Sequence, residues 1–129
     1  MKIGIIGAGA IGQAVAKQVV TAGHEALLSN RRGPDSLRDI VQQLGARARA
    51  VTTREAAGAD IVVLSVTWDA VPQALADLPP WNNRILIDAT NPVLQPGFRL
   101  ADLGDKTSSE VVASLAKNAR IVKAMNTLL

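Results

Sequence analysis

The segment Lys2-Ile3-Gly4-Ile5-Ile6-Gly7-Ala8-Gly9-Ala10-Ile11-Gly12 sets how the rest of the chain is read. Lys2–Ile6 is a short run rich in β-branched residues, the mark of a strand, and it ends at Gly7. From Ile11 onward apolar residues recur at helical spacing, at Val15 and Val19, until Gly23 supplies a C-cap. The expected opening is thus strand, glycine turn, helix. The competing reading is a signal peptide. Glycines at positions 4, 7, 9 and 12 argue against it, because they weaken a helical apolar core. The segment is expected to belong to a mature cytoplasmic protein.

The same alternation continues outward. Residues 26–29 form a second short strand. Leu37, Ile40, Val41 and Leu44 make a helical stripe stopped by Gly45. Residues 49–51 are a weak third strand, and Thr53–Ala57 is at most a short helix. Residues 61–66 are apolar except for Ser65, which fits a strand buried on both faces, as in a parallel sheet. Asp69 is expected to cap the next helix, placing Pro72 at its third position, where a missing N–H costs nothing. Pro79-Pro80 ends that helix, and Asp60 is read as a second cap. Residues 85–89 are the fifth strand, and 93–106 a loop containing Pro96 and Gly97. Thr107 and Glu110 have capping-box spacing and open a helix through about Lys117. Residues 120–125 are the sixth strand.

This is β-α-β-α-β, twice over. It predicts one α/β domain spanning residues 1–129: a Rossmann-type open parallel sheet in the order 3-2-1-4-5-6, with helices on both faces. A ligand crevice should open at the carboxyl ends of strands one and four, where the order reverses.

Composition excludes several function classes. With 48% hydrophobic and 19% charged residues, the chain is not a disordered one. It has no cysteine, hence no disulfide framework, thiolate metal site or cysteine nucleophile. His24 is the single histidine, so neither a multi-histidine metal site nor a Ser-His-Asp set is expected. The net charge of +3 suits an anionic ligand. Nucleic acid is a poor fit, because the basic residues are scattered and Trp68, Trp81 and Phe98 are the only aromatics. No apolar run is long enough for a transmembrane helix.

Gly7, Gly9 and Gly12 form G-x-G-x-x-G between a predicted strand and a predicted helix, the context its mechanism requires. Gly7 allows the turn, Gly9 lets a pyrophosphate approach the backbone, and Gly12 lets the helix pack on the strand. Free N–H groups at the helix start then favour the negative charge. The end of strand two selects the cofactor. An NAD site places a carboxylate there; this chain has Ser29, Asn30, Arg31 and Arg32. A hydroxyl and two guanidinium groups suit a 2′-phosphate, so NADP(H) is expected over NAD(H). The plain alternative is a solvated turn before Gly33-Pro34.

These residues resemble the NADPH-dependent reductases of the deazaflavin coenzyme F420. The likeness rests on the glycine motif and on Ser29-Asn30-Arg31-Arg32-Gly33-Pro34. It extends through Ser65-Val66-Thr67-Trp68-Asp69-Ala70-Val71, Asp88-Ala89-Thr90-Asn91-Pro92 and Val122-Lys123-Ala124-Met125-Asn126-Thr127. It implies hydride transfer between NADPH and a deazaflavin or flavin acceptor. It also implies that Ser29, Asn30, Arg31 and Arg32 hold the 2′-phosphate, and that Ala10 and Ile11 sit at the pyrophosphate. Val66 and Thr67 would line the ribose side. Asn91, Pro92, Met125 and Asn126 would border the nicotinamide. Members of that family continue for several tens of residues past the Asn-Thr pair, and that part helps form the acceptor pocket. Here the sequence stops at Leu128-Leu129, so the dinucleotide site is expected to be complete and the acceptor site not.

Hydride transfer needs the two rings held face to face, and the protein supplies position and exclusion of water. No catalytic side chain is therefore expected. An imine reductase would need a proton donor and a helical dimerisation domain. The second reading is an NADPH-binding module or sensor without catalysis of its own. His24 is expected on a solvated turn away from the crevice. Asp88 either orders the Thr90-Asn91 loop or serves as a structural carboxylate. Lys123 points to the crevice or to solvent, and Trp68 covers the cofactor or packs on the sheet. An uncovered sixth strand predicts self-association as a homodimer.

Overall fold

The computed structural model describes residues 1–94 and 99–125. Pro96, Gly97, Phe98, Asn126, Thr127 and Leu128-Leu129, which figure in the sequence reading, lie outside these. The chain runs β1 (Lys2–Ile6), α1 (Ala10–Thr21), β2 (Glu25–Ser29), α2 (Arg38–Leu44), β3 (Ala48–Ala50), α3 (Thr53–Ala57) and β4 (Ile61–Leu64). It continues through α4 (Val71–Ala74), β5 (Ile85–Asp88), β6 (Val93–Leu94), β7 (Arg99–Leu100), α5 (Ser108–Leu115) and β8 (Arg120–Lys123). The main sheet is parallel throughout, in the order β3-β2-β1-β4-β5-β8. With β8 as the sixth strand, this is the predicted Rossmann-type order.

Strand alternation builds two cores, one on each face. Ile3 and Ile5 of β1, Ala26 and Leu28 of β2 and Val63 of β4 bury against Ala16 of α1 and against Leu37. Ile6, Leu27, Val62, Leu64 and Leu86 bury on the opposite face against Ala56, Val71 and Val112 from α3, α4 and α5. Because both faces are covered, the central strands read as unbroken apolar runs. Arg84 fastens the second face. Its guanidinium lies 5.1 Å from the Trp81 ring centre and donates to the Ala57 and Ala59 carbonyls at 2.6 and 2.7 Å.

The differences from the sequence reading are local. β4 ends at Leu64 rather than at residue 66, because the Ser65 hydroxyl turns to donate to the Gly7 carbonyl at 2.8 Å. Asp69 does not cap a helix: it lies within a single 3-10 turn, Trp68–Ala70, and α4 begins after Ala70 with no side-chain cap. Pro72 is then the second helical residue. α4 stops at Ala74, well before Pro79-Pro80, and Asp77 already has φ of 56°, outside helical geometry. The Asp60 carboxylate accepts from the Lys2 N–H at 2.8 Å and ties β1 to the start of β4 instead of capping a helix. Within the expected loop 93–106, β6 and β7 pair as a small two-stranded antiparallel sheet. The sixth strand ends at Lys123, and Met125 has a left-handed φ of 64° that breaks the extended run. Trp68 packs against the core rather than over the crevice.

Candidate functional site

The glycine loop links the end of β1 to α1. Gly7 has φ of 105° and donates its N–H to the Ser29 carbonyl at 2.9 Å. A side chain on Gly12 would place Cβ 2.0 Å from the Gly7 carbonyl oxygen, so α1 can close on the loop only at a glycine. Gly9 differs: nothing lies within 4 Å of its would-be Cβ, and the loop is open there. The first bond across this end of α1 runs from Gln13 N–H to the Gly9 carbonyl at 2.9 Å. The preceding N–H groups of Ala10, Ile11 and Gly12 therefore lack helical partners. No side chain caps them.

The loop forms the floor of a crevice of about 750 Å³. Gly7, Ala8 and Gly9 line it beneath Asn30, Arg31 and Arg32 from beyond β2, and Val66 and Thr67 from beyond β4. This is the position predicted from the reversal of strand order. Asn30 shapes its own turn. Its Oδ1 accepts from the Gly33 N–H at 2.9 Å, and its Nδ2 donates to the Ser36 hydroxyl, also at 2.9 Å. That turn carries Arg31 and Arg32 outward, exposed and without an ion pair among the described residues. Ser29 is placed otherwise than the resemblance implied. It is fully buried, it donates to the Ile5 carbonyl at 2.9 Å, and it does not line the crevice.

Ala10 and Ile11 are on the first turn of α1, next to Gly9 but outside the crevice lining, and Gly12 is buried. Asn91 and Pro92, half-buried beyond β5, and the exposed Met125 beyond β8 lie at neighbouring strand ends, outside the crevice lining. Asn126 falls outside the described residues. Sequence reasoning missed the far wall, made by Thr53, Arg54, Gln73 and Asp77. Arg54 spans that wall, donating to the Asp77 carbonyl at 2.5 Å. A signal was present. Thr52 and Glu55 form a capping box that starts α3 and sets Thr53 and Arg54 at the carboxyl end of β3. The Thr52 N–H, then its hydroxyl, hold the Glu55 carboxyl below its ordinary range.

A second polar cluster lies at the ends of β5 and β8. Asp88 is fully buried and paired with Lys123 at 3.2 Å. Lys123 thus turns toward Asp88 rather than into the crevice, and its side chain keeps 26% exposure. His24 is half-buried at the opposite end of β2, 3.3 Å from the N-terminal amine. Among the described residues no group of three or more His, Cys, Asp or Glu could hold a metal, and no helix is long and apolar enough to cross a membrane.

Comparison with known proteins agrees with this geometry. The family described as NADP oxidoreductase, coenzyme F420-dependent, matches residues 2–92. A hypothetical protein from Sinorhizobium meliloti is 39% identical, with a TM-score of 0.91 over 100% of this chain and 63% of its own. A candidate F420-dependent NADP reductase from Arthrobacter sp. FB24 is 21% identical, with a TM-score of 0.80 over 100% and 64% of the two chains. The reductive aminase of Aspergillus terreus, solved with NADPH, is 27% identical, with a TM-score of 0.69 over 95% and 39%. The chain therefore spans just under two-thirds of the length of the first two. No curated protein sequence matches it. On the match over residues 2–92, the chain belongs to the coenzyme F420-dependent NADP oxidoreductase family.

Proposed function

We propose that this chain binds NADP(H) in the crevice and positions it for hydride transfer to a deazaflavin or flavin-like acceptor. One observation carries the reading: Arg31 and Arg32 stand exposed on the crevice wall after β2, where among the described residues they make no ion pair and no carboxylate lines that wall. An arginine fork matches a phosphate in geometry and charge.

The residues present fit such a dinucleotide. The open face at Gly9 leaves room for a pyrophosphate against the backbone, beside the partnerless N–H groups of α1. The crevice volume of about 750 Å³ is in the range of cofactor sites. When bound, the nicotinamide supplies the hydride. The chain's own tasks are to bind, orient and exclude water. Val66 and Thr67 flank the ribose side, and Asn91, Pro92 and Met125 border the nicotinamide end. Among the described residues the crevice lining holds no histidine, lysine or tyrosine, and its one carboxylate, Asp77, stands on the far wall. That favours an acceptor ring that takes a hydride directly over an imine, which must also be protonated. Family membership supports the same choice, and the NADPH complex of the 27% identical aminase supports the phosphate-bearing dinucleotide.

The test is a calorimetric titration with NADPH and NADH, followed by loss of NADPH absorbance with coenzyme F420 or a free flavin. NADPH is expected to bind at least about tenfold tighter, the gain of one charged hydrogen bond. Oxidation should follow with F420. Binding of neither dinucleotide would contradict the proposal. Tight NADPH binding without turnover by any acceptor would make the chain a binding module instead.

A further inference from the structure

The nucleotide half of the site leaves the charged cluster at the ends of β5 and β8 unused. Asp88 and Lys123 are the last residues of those strands and stand in register across the sheet. Asp88 Oδ1 accepts from the Thr90 N–H at 2.9 Å and from the Thr90 hydroxyl at 2.5 Å. Asp88 Oδ2 meets Lys123 Nζ at 3.2 Å. The same ammonium donates to the Thr90 carbonyl and to the Ser108 hydroxyl, the latter at 3.3 Å.

An ammonium has three protons, and each finds an acceptor here. Lys123 is thus no spare proton donor, although its side chain keeps 26% exposure. Nor does α5 require it, since Ser108 opens that helix and a cation there opposes the helix dipole. An ion pair that buries one partner fully, as this one buries Asp88, is also a poor device for stability alone, because an apolar pair of similar size does as well. The arrangement does one thing unambiguously. It turns the N–H, hydroxyl and carbonyl of Thr90 inward, and so fixes the backbone from which Asn91 and Pro92 depart at the crevice end of the sheet.

We infer that Asp88 and Lys123 are positioning residues. Their clamp on Thr90 sets residues 90–92 as the support for the nicotinamide end of the dinucleotide. This deepens the NADP(H) reading and rests on it.

The experiment compares NADPH with adenosine 2′,5′-bisphosphate, which carries the phosphorylated adenosine and no nicotinamide. In the unaltered chain NADPH should bind at least about tenfold tighter than the bisphosphate, an increment owed to the far end. The double variant Asp88→Asn/Lys123→Met removes both charges and orphans neither, and it keeps an Oδ1 acceptor for the Thr90 N–H. It is expected to bind the bisphosphate unchanged and to lose most of the NADPH increment. Should it fail to fold, Lys123→Arg serves, because a planar guanidinium cannot meet acceptors arranged around a point ammonium. The increment should shrink there too. A folded variant with its increment intact overturns the inference, as does an unaltered chain that binds both ligands equally. If the unaltered chain binds neither ligand, the NADP(H) reading itself fails, and the inference fails with it.

Discussion

Arg31 and Arg32, beyond the end of β2, are exposed and without an ion pair among the described residues, whereas Lys123, at the end of β8, meets three acceptors. Both groups stand at carboxyl ends of strands in one parallel sheet. The first holds its charge open to solvent, where the proposed 2′-phosphate would meet it. The second spends its charge on the protein, so its effect is on backbone shape. Cations of the first kind cost the fold little to lose and cost the ligand much. For the second kind the order is reversed.

The largest effect should come from breaking the closed side. Lys123→Met leaves Asp88 buried without its counter-charge. That costs about 3 kcal/mol or more, read as a lowered denaturation midpoint. Adding Asp88→Asn should recover most of the loss. Equal stability of Lys123→Met and the unaltered chain would erase the contrast, because Lys123 would then hold nothing.

A smaller effect separates two glycines of the open side. Gly12→Ala brings Cβ to 2.0 Å from the Gly7 carbonyl oxygen, and the repacking should cost about 1–3 kcal/mol. Gly9→Ala meets no protein atom within 4 Å. Its melting temperature should barely move, while NADPH affinity falls because the methyl group projects into the crevice. Unchanged affinity would mean that the open face at Gly9 is not where the dinucleotide lies.

The smallest effect is one of pH, at the far wall of the crevice. In the folded chain the Glu55 carboxyl titrates below its ordinary value, because the Thr52 N–H and hydroxyl hold its charged form. As pH falls, the unfolded chain takes up the proton first. The stabilisation is therefore present above the unfolded value, about 4.3, and is lost as pH falls through the lower folded value. Glu55→Gln should flatten that part of the acid denaturation profile. An unaltered profile would remove Glu55 from the cap.

The strand order was legible because it depends on apolar runs and on glycine-marked turns. Residues 61–66 announce a strand buried on both faces, and Gly7 and Gly12 announce the close approach of loop and helix. The bounds were less legible where a side chain overrides the pattern. Ser65 looks like a strand interior, yet its hydroxyl serves the glycine loop. Asp69 and Asp60 look like caps, but which backbone N–H a carboxylate meets depends on contacts remote in sequence, as Asp60 with Lys2 shows. The near wall of the site could be read from Arg31 and Arg32. The far wall was legible only in part: the Thr52 and Glu55 spacing marks where α3 begins, but Arg54 and Asp77 meet only through the tertiary fold. Ser29 shows the limit of motif reading: it is in the right place along the chain, and its hydroxyl is bound within the sheet.

Above all, the open arginine pair is proposed to read a 2′-phosphate. Its most direct test is the ratio of NADPH to NADH affinity in Arg31→Ala/Arg32→Ala, measured beside the unaltered chain. A preference of at least about tenfold is expected in the unaltered chain, falling to near unity in the variant, with stability changed by no more than about 0.5 kcal/mol. A preference that survives the double substitution would contradict it.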